Sequence, residues 1–274
     1  MTAVLELSET ALRYRAGAQP VVEDVSLAVE AGHSLALVGE SGAGKTTLLR
    51  LLLGLARPTS GTVRFDGEEL KLRDRDQVRR FRRSVQCVFQ DPYSSLDPRQ
   101  RVNGIVSEPL RSLGIATKRT AGPKVAEALE RVGLPADAAE RYPHEFSGGQ
   151  RQRIAIARAT VCDPRVLLAD EPVSALDITT RVKVVDLLNE LKREQGLTLV
   201  MVSHDLSVVA SLCERTAVLE RGRIVEQGDT SQVLGAPSIR TPATSSPGFR
   251  DCRRDGVSER PGASAHGRAS SSAL

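Results

Sequence analysis

Short apolar runs that close on a glycine or an acid recur along the chain, separated by longer amphipathic stretches. Residues 1–35 alternate apolar and polar positions, which predicts short half-buried strands. Leu35-Ala-Leu-Val-Gly39 is an unbroken apolar run ending in glycine, the pattern of a buried parallel strand that opens into a loop. Lys45–Leu55 has helical spacing, and Gly61–Gly67 reads as a strand ending in an Asp66-Gly67 turn. Lys71–Arg83 is densely charged and predicts a solvated helix, with a strand after it at Val85–Phe89. Residues 100–160 keep a helical period with breaks near Gly114, Gly122 and Gly133-Leu-Pro135, which predicts an inserted helical subdomain. Two more apolar strands, Arg165–Asp170 and Thr198–Ser203, flank a helix over Ile178–Glu194. Ala217–Glu220 and Arg223–Glu226 predict a closing hairpin around Gly222. Strands alternating with helices argue for an α/β core with a mostly parallel sheet. Beyond Gly235 the periodicity stops and Pro, Ser, Gly, Ala and Arg dominate, which predicts disorder from about residue 238.

Composition narrows the function classes. The net charge is +4, but residues 236–274 hold six Arg against three acids, so +3 of it lies there. With a near-neutral body, 3% aromatics and no Trp, a nucleic-acid footprint is not expected. Cys87, Cys162, Cys213 and Cys252 are scattered singly, without metal-ligand spacing, which suits a reducing compartment. The N-terminus lacks the pattern of a signal peptide, and no run approaches the length of a membrane span. Any transport role would need a channel from another chain.

The first chemical motif is Gly39-Glu-Ser-Gly-Ala-Gly-Lys-Thr46, a GxxxxGK[ST] phosphate loop placed between a predicted strand and a predicted helix. Gly39, Ser41, Gly42 and Gly44 let backbone N–H groups turn toward β- and γ-phosphates, aided by the helix N-terminus. Lys45 can reach the same oxygens, Thr46 can place its hydroxyl on Mg²⁺, and Thr47 can contact a phosphate. The apolar strand Arg165–Asp170 ends in two acids. Asp170 is aimed at the Mg²⁺ shell, and Glu171 can act as general base toward the attacking water.

The second motif is Phe146-Ser-Gly-Gly-Gln150, about 100 residues further on. At Ser147, Gly148, Gly149 and Gln150 the chain resembles the nucleotide-binding subunits of ATP-binding-cassette (ABC) transporters, over nearly all of residues 4–236. The resemblance implies a P-loop NTPase (RecA-like) core with an antiparallel β subdomain and an inserted helical signature subdomain at about 92–160, within an ABC ATPase domain of residues 1–236. It gives Tyr14 the position of the aromatic that stacks on adenine, although a lone tyrosine also suits a packing role. Gln90 takes the place of the glutamine that contacts Mg²⁺ and water and senses the membrane subunit. Ser174-Ala-Leu-Asp177 takes the place of the loop that crosses the dimer interface, and His204 that of the histidine on the γ-phosphate. In that family two subunits pack head to tail. Each ATP lies between one phosphate loop and the partner's Ser-Gly-Gly-Gln, here at the start of a helix through Gln152–Ala159.

Gln90-Asp-Pro-Tyr-Ser-Ser-Leu-Asp-Pro-Arg99 and Tyr142-Pro-His-Glu-Phe-Ser-Gly-Gly-Gln-Arg-Gln-Arg153 narrow the resemblance to the ATPases of oligopeptide, dipeptide and nickel importers, and to the second of their two paired ATPases. That implies a second ATPase subunit in a homo- or heterodimer, two transmembrane permeases, and indirectly an extracytoplasmic solute-binding protein. The location implied is the cytoplasmic face of the membrane, with no nucleic-acid partner. The alternative is a soluble accessory ATPase of an enzyme assembly resembling carbon–phosphorus lyase. One departure stands out. The subfamily continues with Pro-x-His-Pro-Tyr-Thr, where this chain has Pro237-Ser-Ile-Arg-Thr-Pro242. A one-base shift of codons for His-Pro-Tyr-Thr yields Ile239-Arg-Thr-Pro242 when Ser238 ends in C, so residues 237–274 are expected to be a disordered, out-of-frame tail.

Overall fold

The chain builds two sheets from strands of opposite character. The computed structural model describes residues 3–15, 17 and 19–235, and the expected out-of-frame tail lies outside them. Strands β1 (Ala3–Leu12) and β2 (Val22–Glu30) come first, and β3 (Leu35–Gly39) leads into α1 (Lys45–Leu52). α1 stops short of the expected Leu55 because Gly54 turns left-handed at φ 63°. β4 (Ser60–Phe65) and β5 (Glu68–Glu69) follow. α2 (Arg75–Ser84) begins at Arg75 rather than Lys71, since the Asp74 carboxylate caps it by accepting from the N–H groups of Asp76 and Gln77. After β6 (Val85–Val88) come α3 (Pro92–Ser95), α4 (Val102–Val106), α5 (Glu108–Ser112), α6 (Gly122–Arg131) and α7 (Gly148–Thr160). Gly114 and Gly133 break the helical run with φ of 67° and 70°. The break expected near Gly122 lies just before it, and Gly122 opens α6 with a proline in its first turn. β7 (Val166–Asp170), α8 (Ile178–Gln195), β8 (Thr198–Val202), α9 (Leu206–Leu212), β9 (Arg215–Glu220), β10 (Arg223–Asp229) and α10 (Thr230–Gly235) complete the described chain.

The smaller sheet is antiparallel, in the order β2-β1-β4-β5. Its alternation is interrupted in β1, where Glu9 sits at φ 45° and the register shifts between Leu7 and Thr10. The bulge moves the buried set from Leu5 and Leu7 to Thr10 and Leu12. The larger sheet runs β10-β9-β3-β8-β7-β6, with β9, β3, β8, β7 and β6 parallel and β10 antiparallel at the edge. Glu220 faces Arg223 across a two-residue loop whose residues, Arg221 and Gly222, have φ of 48° and 83°. Both positive values are what a tight right-twisting hairpin needs.

The central strands read as continuous apolar runs because both faces are covered. Ala36, Val38, Leu167, Ala169, Leu199 and Met201 join one buried cluster with residues of α4 to α9. Their neighbours Leu35, Leu37, Val166, Leu168, Val200 and Val202 join another with α1 and the antiparallel sheet. The period-2 split leaves the carboxyl ends of β3, β7 and β8 side by side. Asp170 pairs with Val202 and Leu37 also pairs with Val202, so the loops after all three strands open on one edge.

Candidate active site

The loop after β3 is shaped by positions that admit no side chain. A Cβ at Gly39 (φ 154°) would lie 2.3 Å from Leu219 O, and one at Gly44 (φ 105°) would lie 2.8 Å from Val21 O. Gly42 is also left-handed, at φ 83°, and Ser41 is exposed beside it. Gly44 caps α1 without a side-chain hydrogen bond, so no side chain occupies the N–H groups of its first turn. Lys45 Nζ folds back over the loop and donates to Gly39 O at 2.7 Å and Glu40 O at 2.8 Å. Burial holds the ammonium pKa below its ordinary value, against the opposing pull of Glu171 and Asp170. Thr46 is exposed in the first turn. The Thr47 hydroxyl lies 3.3 Å from Tyr14 Oη, to which Arg50 Nη1 donates at 3.4 Å. Thr47, expected on a phosphate, thus anchors the exposed Tyr14 ring to α1.

A carboxylate cluster faces this loop. Asp170 ends β7 half-buried, and burial, then Glu171, raises its pKa, while Lys45 and Arg50 pull it down. Glu171 has φ 46°, an uncommon value for a residue with a side chain, held by its N–H donating to Val202 O at 2.9 Å. Gln90 Nε2 donates to Glu171 Oε2 at 3.0 Å, and His204 Nδ1 lies 3.0 Å from Glu171 Oε1. An ionised carboxylate only accepts, so Nδ1 carries the hydrogen and Nε2 is turned away from Glu171. Gln90, Glu171 and His204 come from the ends of three neighbouring strands and share one carboxylate.

Ser147–Gln150 form a second group. Ser147 caps α7, its N–H donating to Gln150 Oε1 at 3.0 Å while Gln150 N donates to Ser147 Oγ at 3.4 Å. Gly149 abuts Thr180 in the first turn of α8, which Asp177 caps by accepting from Thr180 N at 3.0 Å. Among the described residues, the hydrogen bonds of Ser147, Gln150 and Asp177 stay within these two helix starts. Two contacts that no motif announces hold the loops of Gln90 and His204. Arg181 Nη1 pairs with Asp205 Oδ2 at 2.7 Å, tying the loop of His204 to α8. Arg158 Nη1 donates to Ser95 O at 2.5 Å, tying α7 to the segment after Gln90. Nothing in a linear sequence pairs these positions.

The donor set suits a hard cation. Among the described residues no three His, Cys, Asp or Glu side chains converge to hold a metal alone. Asp170, Thr46 and Gln90 offer a carboxylate, a hydroxyl and an amide oxygen, fitting an ion that completes its shell with water and substrate phosphates, as Mg²⁺ does.

Residues 22–174 match the family model described as ABC transporter. The chain belongs to the ABC transporter family. Among curated relatives of this ABC protein, the glutathione import ATP-binding protein GsiA of Salmonella typhimurium is 47% identical over 79% of this chain and 35% of that protein. The chain thus spans about a third of that relative's length. A putative peptide import ATP-binding protein of Brucella abortus is 45% identical over 81% of this chain and 70% of its own length. Among solved structures, cbiO1 from Clostridium perfringens, part of the ABC transporter complex cbiONQ, superposes with a TM-score of 0.76 at 28% identity, covering 86% of this chain and 92% of that one. The ATP-binding cassette MJ0796, a dimer in a post-hydrolysis state with ADP and Pi, gives 0.72 at 31% identity, covering 82% and 98%. The fold is that of the P-loop ABC ATPase cassettes.

Proposed function

We propose that this ABC protein hydrolyses ATP with Mg²⁺ and powers an importer for peptides or a related small solute. The observation that carries the reading is the Glu171 carboxylate, held by Gln90 and His204 beside Asp170 and across from Lys45. Lys45 and the N–H groups opening α1 bind the β- and γ-phosphates, and Tyr14 offers its exposed ring to adenine. Thr46, Gln90 and Asp170 would hold the Mg²⁺, which supplies charge neutralisation on the phosphates. Glu171 takes a proton from the attacking water as the water oxygen bonds the γ-phosphorus. The bond to the β–γ bridging oxygen breaks, and ADP and inorganic phosphate result. Its left-handed backbone aims the carboxylate past the strand end, and His204 keeps it in place.

The helix starts at Ser147–Gln150 and Asp177 serve the partner's nucleotide in a head-to-tail dimer. The names of the peptide and glutathione import relatives support the cargo class, and the MJ0796 dimer supports the pairing. Two permeases and a solute-binding protein complete the machine. The glutamate is tested by Glu171→Gln. Loss of a general base lowers turnover by about a hundredfold or more, and the variant accumulates as an ATP-bound dimer on gel filtration. Wild-type turnover in that variant refutes the role of Glu171. Tagged Glu171→Gln, purified with ATP and Mg²⁺ from solubilised membranes of its host, should carry two polytopic permeases. Recovery of soluble enzymes alone overturns the importer reading and leaves an accessory ATPase.

A further inference from the structure

Residues 71–83 carry seven basic and two acidic side chains, a net +5 in a chain whose whole net charge is +4. Helix α2 organises them. Its inner face is pinned by Phe81, edge-on to Phe65 at 5.4 Å, and by Gln77. The Gln77 side chain donates to Glu69 O and accepts from Lys71 N. The opposite face presents Arg75, Arg79, Arg82 and Arg83, at i, i+4, i+7 and i+8, all exposed. Among the described residues none of these four side chains makes an ion pair, whereas Arg80 on the flank pairs with Glu68. Like charges at this spacing repel and weaken a helix, a cost that the favourable placement of Arg82 and Arg83 in its last turn offsets only in part.

We infer that this stripe is a docking surface for anionic lipid headgroups, seating the ATPase on the membrane surface. A plane of phosphates is the complement that a line of unpaired guanidiniums fits. A protein partner is disfavoured because such interfaces set their arginines among apolar or aromatic anchors, which this face of α2 lacks. The exposed positions of α2, residues 75, 76, 79, 80, 82 and 83, are all charged. A nucleic-acid partner is disfavoured by the absence of ring side chains among those positions. The stripe is preformed, because its helix is anchored by buried groups on the other face. None of the four arginines touches the Lys45–Glu171 cluster, so the inference stands apart from the chemistry proposed for that cluster.

The test uses the full chain, three probes and two quadruple variants. Sedimentation is measured with vesicles of phosphatidylglycerol mixed with phosphatidylcholine, with vesicles of phosphatidylcholine alone, and with duplex DNA as competitor. The wild type should bind only the anionic vesicles at low salt and be released at about 0.5 M salt, where screening shortens to a few ångströms. Replacing Arg75, Arg79, Arg82 and Arg83 together by Gln should weaken binding at least about a hundredfold, each Arg near an anionic surface being worth about fivefold. Replacing the same four by Lys should preserve binding. ATP hydrolysis should be unchanged in both variants, which also reports that they fold. Equal binding to neutral vesicles, no binding at low salt, or equal binding by wild type and the Gln variant overturns the inference. So does displacement by DNA at matched phosphate concentration, which makes the patch a nucleic-acid site.

Discussion

Gly149 lies where α7 passes the first turn of α8, and a methyl group added there meets one atom. A Cβ at residue 149 would be 2.1 Å from Thr180 Cγ2, but 3.4 Å from Thr180 Cβ and 3.5 Å from its Oγ1. The collision is therefore with a single methyl group. Thr180 is β-branched and helical, so few rotamers are open to it. Overpacking of this kind costs about 1–3 kcal/mol. Replacing glycine by alanine inside a helix returns up to about 1 kcal/mol. Gly149→Ala should thus destabilise by about 1–2 kcal/mol, a fall in melting temperature of about 2–8 °C for a chain of this size. Thr180→Ser deletes the colliding methyl while its N–H still reaches Asp177. In that background the same glycine substitution should be neutral or should raise the melting temperature. Thermal unfolding of the four proteins measures the coupling directly. Equal losses in both backgrounds would refute the steric account, as would Gly149→Ala melting with the wild type.

Two charge predictions follow from the same structure. Burial and Glu171 raise the Asp170 pKa, so the folded state prefers the protonated form and ionisation costs stability above the folded value. Asp170→Asn should therefore melt higher than the wild type at pH 7 without nucleotide, by about 2–4 °C if the gain is about 1 kcal/mol. The gain should vanish below about pH 4, where the carboxyl is protonated in both states, and hydrolysis should be lost. A lower melting temperature at pH 7 contradicts the burial cost. Asp205 is the opposite case. The Ser207 hydroxyl, then the Val208 and Ser207 N–H groups and Arg181, hold its pKa below the usual value against the effect of burial. Its contribution is present above the unfolded value and lost as pH falls through the folded one. Asp205→Asn keeps an N-cap but loses the Arg181 pair, costing about 1 kcal/mol. The melting gap should hold above about pH 4 and close below it, and a gap that persists in acid refutes the assignment to charge.

Much of the fold is legible along the chain. The strand Leu35–Gly39 was readable because a strand buried on both faces must be apolar at every position. The helix Ile178–Gln195 and the hairpin about Gly222 were readable from periodicity and turn chemistry. The break expected near Gly122 lies on its N-terminal side, because Gly122 and Pro123 open a helix rather than end one. The bulge at Glu9 was hidden because it depends on the register of the partner strand.

The candidate site divides in the same way. Residues 39–46 and 147–150 carry their chemistry in local spacing, since a phosphate loop and a helix cap are each made by consecutive residues. The sequence alone therefore determined the family and marked the residues proposed for the phosphate loop and the acids. What it did not contain is the order of the strands. Gln90 and Glu171 lie 81 residues apart and Glu171 and His204 lie 33 apart, yet they share one carboxylate because β6, β7 and β8 are neighbours in the sheet. The contacts of Gly149 with Thr180, Arg158 with Ser95 and Arg181 with Asp205 arise the same way. Local chemistry follows from covalent neighbours, whereas the meeting of distant side chains is decided by which buried faces pack together, and only the tertiary structure holds that.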